Sequence, residues 1–238
     1  MLSEKPWRGE AVMQFIALQL ACFCSGAVVI GLLHKFGVNG FKQPEDFGAA
    51  LVATLCFQGA TWILIPFFLR QHQIRWREAF GLRGPQLLQT LLVAAGVVIV
   101  ILPVALSLEK LSVFILNKIG WPLVDQAAVQ LFASAKTWWA RIYFGVFAIV
   151  IAPVAEEFIF RGMLFPFVKR LGYPRLAWFG VSALFALIHF DAAIFVPLFA
   201  LALALTWLYK FTDNLLAPVA AHSLFNAVNL IVLISQNQ

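Results

Sequence analysis

Long apolar segments recur along almost the whole chain and are separated by short polar stretches. A hydrocarbon layer about 30 Å thick needs about 20 residues of helix to cross it, and most of these segments approach or exceed that length. The pattern therefore predicts an all-α fold whose helices span a membrane. The predicted spans are 12–33, 47–69, 87–108, 137–155, 177–190, 194–212 and 216–235.

A further apolar segment, 158–168, is shorter than the others and contains Pro166. It either completes a set of about eight crossings or forms a re-entrant or broken helix that does not span. We therefore expect a polytopic integral membrane helical bundle of about eight transmembrane helices, one of which is a candidate re-entrant segment.

Two polar inserts interrupt the apolar pattern. Segment 70–85 carries four arginines and Trp76, which predicts a stretch at the level of the lipid headgroups. Segment 109–136 has mixed apolar spacing, which predicts a partly embedded amphipathic helix followed by a loop. Neither insert resembles a flexible linker, and no repeat is recognisable, so we expect a single integral membrane domain over 1–238 with its motif core at about 137–236.

The composition supports lipid as the solvent and excludes several functions. Of the 238 residues 62% are hydrophobic and 12% charged, whereas a soluble domain is about half apolar and a quarter charged. The net charge of +6 comes from basic residues spread over several loops, which suits headgroup contacts and not nucleic acid. Cys22, Cys24 and Cys56 form no CxxC pair, so we interpret them as small apolar residues.

Polar residues inside the predicted spans are the candidates for chemistry. An ionisable group near the bilayer centre costs about 2.5 to 3.5 kcal/mol on insertion scales, so several such groups together suggest a functional site. They fall in three separate segments of the carboxyl-terminal half. The candidates are Glu156, Glu157, Arg161, His189, His222 and Asn226.

Helical spacing separates the roles of the two adjacent glutamates. Glu157 and Arg161 are four residues apart, so a carboxylate–guanidinium pair can form within one helix. Glu156 is rotated by about 100° from Glu157 and need not share that partner. Glu156 is therefore the carboxylate that can face an enclosed cavity and act as a general base.

The two histidines occur in similar patterns. Phe185 lies four residues before His189, so its ring can pack one helical turn from the imidazole and fix its rotamer. His222 and Asn226 are also four residues apart and share a helix face. Each of these segments thus offers one polar stripe.

These motifs resemble those of the CPBP intramembrane endopeptidases, which include CAAX prenyl endopeptidases and bacteriocin-processing enzymes and are also called the Abi family. That family has a paired glutamate followed by an arginine, a Phe-x-x-x-His and a His-x-x-x-Asn/Asp on successive membrane helices. The chain matches them with Glu156-Glu157-Phe158-Ile159-Phe160-Arg161, Phe185–His189 and His222–Asn226.

The resemblance implies hydrolysis of a peptide bond, in or at the membrane, by a water that Glu156 and His189 activate. His222 and Asn226 would hold the water or stabilise the oxyanion, while Glu157, Arg161 and Phe185 would support the site. The resemblance further implies a membrane-associated or lipid-modified peptide or protein as substrate. We expect the chain in the lipid bilayer of a prokaryotic plasma membrane.

The residues leave the role of a metal open. Glu156, His189 and His222 could be the three ligands of a catalytic zinc, and the family has often been described as metalloproteases. However, no HExxH motif is present. A metal-free, glutamate-activated water uses the same residues and accounts better for Asn226, because an amide is a poor zinc ligand. The metal-free route is the one that we favour.

The same residues admit two other functions. A non-catalytic membrane scaffold or bacteriocin immunity factor would use this pocket for binding alone. An ion or proton transporter would use Glu156 and His189 as a relay, but it predicts paired broken helices related by an internal repeat, which the sequence does not have.

Overall fold

The computed structural model describes residues 5–43, 46–82, 87–123, 135 and 137–236, and over these residues the chain is helical without strands. The helices are numbered in chain order. They are α1 (Gly9–Lys35), α2 (Phe47–Gln71), α3 (Trp76–Phe80), α4 (Leu87–Lys118), α5 (Trp138–Arg170), α6 (Leu176–Leu187), α7 (Ala192–Thr212) and α8 (Leu216–Gln236).

The all-α membrane fold is confirmed. Five of these helices, namely α1, α2, α4, α5 and α7, are long and apolar enough to cross a membrane by length and composition. Helix α6 and the apolar part of α8, Leu216–Val232, are shorter apolar helices. Within the described residues, the structure thus matches the predicted all-α polytopic bundle, with five candidate spans and two shorter apolar helices where about eight spans were predicted.

Two segments differ from their predicted form. Segment 158–168 is neither a separate crossing nor re-entrant, because it continues the helix that begins at Trp138. Residues 109–118 are the last turns of α4 and not a separate amphipathic helix. The rest of the predicted loop lies largely outside the described residues, at 124–134 and 136. The polarity of 109–118 marks the end of a long helix, where side chains can reach the headgroups.

The polar insert 70–85 contains the short helix α3. Ala79 and Phe80 of this helix are buried, while Trp76 is exposed. Positions 83–86 lie outside the described residues. The predicted location at the headgroups stays a prediction.

The chain divides into two compact units. One comprises 7–74 and 127–155, and the other comprises 1–6, 75–126 and 156–238. In the first unit α1 packs on α2, and the buried Gln19 donates to the carbonyl of Phe57 at 2.8 Å. The prediction of a single domain stays a prediction.

The second unit contains every predicted site residue. Its apolar core is formed by α4, α6, α7 and α8, with alanines at many of the contact positions, as close helix packing in lipid requires. The core residues include Ala94, Val98 and Ala105 of α4, Leu201, Leu205 and Leu208 of α7, and Ala217 and Ala221 of α8.

Helix α5 is interrupted by two wide, π-helical turns that precede its prolines. The turn Phe147–Ile151 ends two residues before Pro153, and Phe158–Leu164 ends two residues before Pro166. A proline lacks the N–H that would bond the carbonyl four residues earlier and its ring clashes there, so a wider turn lets the helix continue. The motif Glu156-Glu157 lies between these turns.

Helix α3 is fixed to the α7–α8 connection through its last residues. Leu215 N donates to the Phe80 carbonyl at 2.8 Å, and the Phe80 ring packs on Phe158 with centroids 4.9 Å apart. Gly81 ends α3 with φ +63°, and a Cβ atom there would overlap the carbonyl of Asp213. Only glycine permits both this backbone conformation and this approach.

We expect G81A to lower the thermal stability of the detergent-solubilised protein, because the added methyl group overlaps backbone and the residue must keep a positive φ. The cost is about 2 kcal/mol or more. The matched control is G96A, since a Cβ at Gly96 of α4 meets no atom within 4 Å. Its melting temperature should equal or exceed the wild-type value. Equal melting temperatures for G81A and G96A would contradict the docking of α3.

Candidate active site

Glu157 is fully buried and accepts two charge-assisted hydrogen bonds on one oxygen. Its Oε1 receives Nη1–H of Arg161 at 2.8 Å and Nδ1–H of His222 at 2.9 Å. The first partner lies one turn further along α5 and the second lies on α8. The predicted pair Glu157–Arg161 is therefore present, and the structure adds His222 as a second partner.

Arg161 is also fully buried, and its guanidinium joins α5 to α7. Nη2 donates to the carbonyl of Ala202 at 3.0 Å, and Nε donates to Oγ1 of Thr206 at 3.4 Å. The rigid fork of the guanidinium lets these bonds form at the same time as the bond to Glu157. One side chain thereby fixes the distance between the two helices.

Phe185 of α6 contacts three of the other motif side chains. The guanidinium carbon of Arg161 lies 4.6 Å from its ring centroid, a cation–π distance. The centroids of the His189 and His222 rings lie 4.9 and 5.6 Å from it. Phe185 is itself fully buried, so it holds the cation and both imidazoles in fixed relative positions.

His222 lies between the two adjacent glutamates. Because Glu157 Oε1 is a carboxylate oxygen that also accepts from Arg161, Nδ1 of His222 is the donor in their contact. The other ring nitrogen, Nε2, lies 3.9 Å from Oε2 of Glu156. That distance exceeds a direct hydrogen bond, but both atoms can bond one small molecule. The Glu156 side chain is 13% exposed, whereas Glu157 is inaccessible.

Neither an ion pair, with nitrogen and oxygen within 4 Å, nor a hydrogen bond joins His189 to Glu156, both of which the structure describes. His189 lies after the end of α6, because α6 ends at Leu187 and not at the predicted residue 190. The helix cannot continue to residue 190, since Phe190 adopts a left-handed φ of 52°. Asp191 then caps the start of α7 by accepting a hydrogen bond from Ala193 N at 2.8 Å. His189 Nδ1 bonds the Phe185 carbonyl at 2.8 Å. Its Nε2 is therefore the nitrogen left for other contacts.

Asn226 lies one turn after His222 on α8 and is half-buried. The two residues share a helix face, as the spacing predicts. The first residue of α8 is capped, because Asn214 Oδ1 accepts a hydrogen bond from Leu216 N at 2.9 Å. Pro218 lies in the first turn of α8, where a proline is tolerated. This start sets the position of the His222 face along the helix.

Sequence reasoning missed the contribution of α7. Thr206 and the Ala202 carbonyl bind Arg161, and Ser182 Oγ of α6 lies 3.5 Å from Thr206 Oγ1. The sequence signal that could have indicated this contribution is the hydroxyl residue Thr206 inside the apolar run "LALALTWLY". The carbonyl of Ala202 carries no signal in the sequence.

The described residues do not fit a three-ligand metal site. A tetrahedral zinc site needs donor atoms from three side chains at about 2.0 to 2.3 Å from the metal. Across the described segments, no group of three His, Cys, Asp or Glu side chains is close enough to hold a metal ion. The proposed trio of Glu156, His189 and His222 is therefore not gathered around one point.

Comparison with known protein families identifies the segment that carries the motifs. Residues 137–228 match the family model described as Type II CAAX prenyl endopeptidase Rce1-like. This match confirms the resemblance to the CPBP family. No curated protein and no solved structure matches the chain.

The matched segment runs from the start of α5 to the middle of α8 and includes all six candidate residues and Phe185. It supports an intramembrane protease of the CAAX type, which is a hydrolase. Together with the apolar helices, it indicates an integral membrane protein whose substrate is a peptide in the membrane.

We expect R161M to destabilise the protein strongly, by about 3 to 5 kcal/mol, because it leaves the Glu157 carboxylate buried without its cation. Adding E157Q to R161M should recover part of this loss, because the uncompensated charge is removed. The measurement is the thermal unfolding midpoint in detergent. The control is R70M, because Arg70 is exposed at the end of α2. Equal effects of R161M and R70M would disprove this role for Arg161.

Proposed function

We propose that the protein is an intramembrane peptidase in which Glu156 activates a water molecule without a metal. The proposal refines the protease activity that the Rce1-like match supports. The single observation that carries it is the pair formed by Glu156 Oε2 and His222 Nε2, which lie 3.9 Å apart. One water can bond both atoms at ordinary hydrogen-bond lengths.

In this proposal Glu156 is the general base. Its carboxylate takes a proton from the water as the water oxygen attacks the carbonyl carbon of the scissile bond. The protonated Glu156 then passes that proton to the departing nitrogen as the carbon–nitrogen bond breaks. The products are a carboxyl group and an amine, and Glu156 returns to its starting state.

His222 orients the water in the same proposal. Glu157 accepts a hydrogen bond from Nδ1–H of His222, so the lone pair of the neutral imidazole is on Nε2, on the side of Glu156. Through this lone pair His222 accepts the second hydrogen of the water. A carboxylate behind an imidazole fixes its tautomer and ring orientation, as in other hydrolases. Glu157, Arg161 and Phe185 thus act as positioning residues.

The developing oxyanion needs a donor, and two groups in the same unit qualify. The side-chain amide of Asn226 is a neutral donor one turn from His222. His189 can donate through Nε2 when it is protonated, since its Nδ1 is bonded to the Phe185 carbonyl. We propose that they bind the oxyanion and the substrate carbonyl, and that His189 acts on the substrate side of Glu156.

We further propose a membrane-associated, apolar or lipid-modified peptide as substrate and a prokaryotic plasma membrane as its location. The site residues belong to helices of a membrane protein, so the peptide has to reach them within or from the bilayer. Lipid modification would concentrate a peptide at that surface.

We expect E156Q to lower kcat by about 100- to 10,000-fold, because an amide cannot accept the proton of the water. The assay is cleavage of a peptide library by the purified protein, with the melting temperature as a check of folding. E78Q, which alters an exposed glutamate of α3, should keep wild-type activity. Full activity in E156Q would overturn the proposal, and undiminished substrate binding by an inactive E156Q would separate catalysis from a scaffold role.

We expect peptide cleavage to continue in the presence of a metal chelator, since the proposed mechanism has no metal ligand. The same assay is run after dialysis against the chelator and again after zinc is added back. Activity should remain within about twofold of the untreated enzyme in both cases. Loss of activity that zinc restores would refute the metal-free mechanism while leaving the peptidase activity intact.

A further inference from the structure

A pocket of about 160 Å³ lies at the carboxyl-terminal end of α5, next to the start of α6 and the last turns of α7. The pocket walls combine aromatic rings with basic side chains. All of the lining residues belong to the compact unit that also contains Glu156 and Glu157. The lining residues are Phe165, Lys169, Pro174, Arg175, Trp178, Phe179 and Lys210.

Three cations line this pocket, namely Lys169, Arg175 and Lys210. Within the described residues, neither Lys169 nor Arg175 nor Lys210 forms an ion pair. Asp213 follows Lys210 by three residues, but it pairs with Lys5 at 3.6 Å. The pocket therefore carries three positive charges that repel each other, and an anion placed among them would relieve that repulsion.

Lys210 is held in place by an aromatic ring. Its Nζ lies 4.6 Å from the ring centroid of Trp178, which is a cation–π contact. Trp178 and Lys210 both line the pocket, so this contact holds the ammonium group of Lys210 at the pocket wall. This ring distinguishes the pocket from a group of independent, solvated lysines.

The position of the pocket points to a lipid. Lys169 is the second residue from the end of α5 and Lys210 the third from the end of α7, so both lie where membrane helices leave the hydrocarbon. On the same end of α7, the exposed rings of Trp207 and Phe211 stack with centroids 5.2 Å apart. Aromatic side chains of this kind are enriched at the headgroup level.

We propose that this pocket binds the phosphate of an anionic phospholipid headgroup. The three cations bind the phosphate oxygens, and Phe165, Trp178 and Phe179 contact the glycerol and upper acyl carbons. The site is separate from the candidate catalytic residues, because Lys169 follows Arg161 by eight residues, a rise of about 12 Å along the helix.

The test measures lipid binding to the purified protein in a non-ionic detergent. Native mass spectrometry gives the affinity for phosphatidylglycerol, with zwitterionic phosphatidylcholine as the neutral comparison. We expect saturable binding of one phosphatidylglycerol to the wild type. The triple variant K169Q/R175Q/K210Q should bind it about 100-fold more weakly, because each basic residue near a membrane surface strengthens anionic binding about fivefold.

The matched control is K35Q/R75Q/K110Q, which removes two lysines and one arginine at exposed positions outside the pocket. It should keep wild-type affinity within about twofold. If the first triple variant does not fold, K210Q alone should weaken binding about fivefold. Equal losses in both triple variants would mean that only net charge matters and would overturn the site.

Inorganic phosphate separates a lipid site from a site for free phosphate. We expect millimolar phosphate not to displace phosphatidylglycerol, because the aromatic wall contributes only to lipid binding. Displacement at micromolar phosphate would overturn the lipid assignment. Equal affinity for phosphatidylcholine would overturn the role of the three cations.

Discussion

The whole site depends on the neutralisation of one carboxylate that no solvent reaches. An ionised Glu157 without partners would cost several kcal/mol in this environment, so Arg161 and His222 must both approach it. These two partners lie on α5 and α8, and Arg161 also donates to α7. Neutralising Glu157 therefore requires that α5, α7 and α8 pack against each other in this arrangement. Misplacing any of these helices would leave a buried charge unpaired.

Hydropathy alone predicted most of the fold, because each membrane helix must be apolar for about the thickness of the bilayer. The predicted span 47–69 differs by two residues from the end of α2, and 216–235 by one from the end of α8. Hydropathy failed at 156–157, where two glutamates separate the predicted span 137–155 from the segment 158–168. The helix continues there because π-helical turns accommodate the prolines and buried partners bind Oε1 of Glu157.

The site was less predictable than the fold, since spacing along one helix reveals only local partners. The pair Glu157–Arg161 could be predicted because four residues separate its members on α5. The contact of His222 with both glutamates could not, since it depends on how α8 packs against α5. For the same reason His189 was expected beside Glu156, although the structure ends α6 before it and bonds its imidazole to the backbone.

Two adjacent glutamates make physical sense when one of them is structural. A helical step of about 100° directs neighbouring side chains to different sides, yet a ring as wide as imidazole can meet both through its two nitrogens. Nδ1 of His222 binds the buried Glu157 at 2.9 Å, and Nε2 faces the partly exposed Glu156 at 3.9 Å. The carboxylate of Glu157 thereby sets the position and tautomer of the ring, and that of Glu156 stays partly exposed beside the other ring nitrogen. A single glutamate could not both anchor the imidazole and exchange protons beside it, because its anchoring oxygen already accepts from Arg161 and His222.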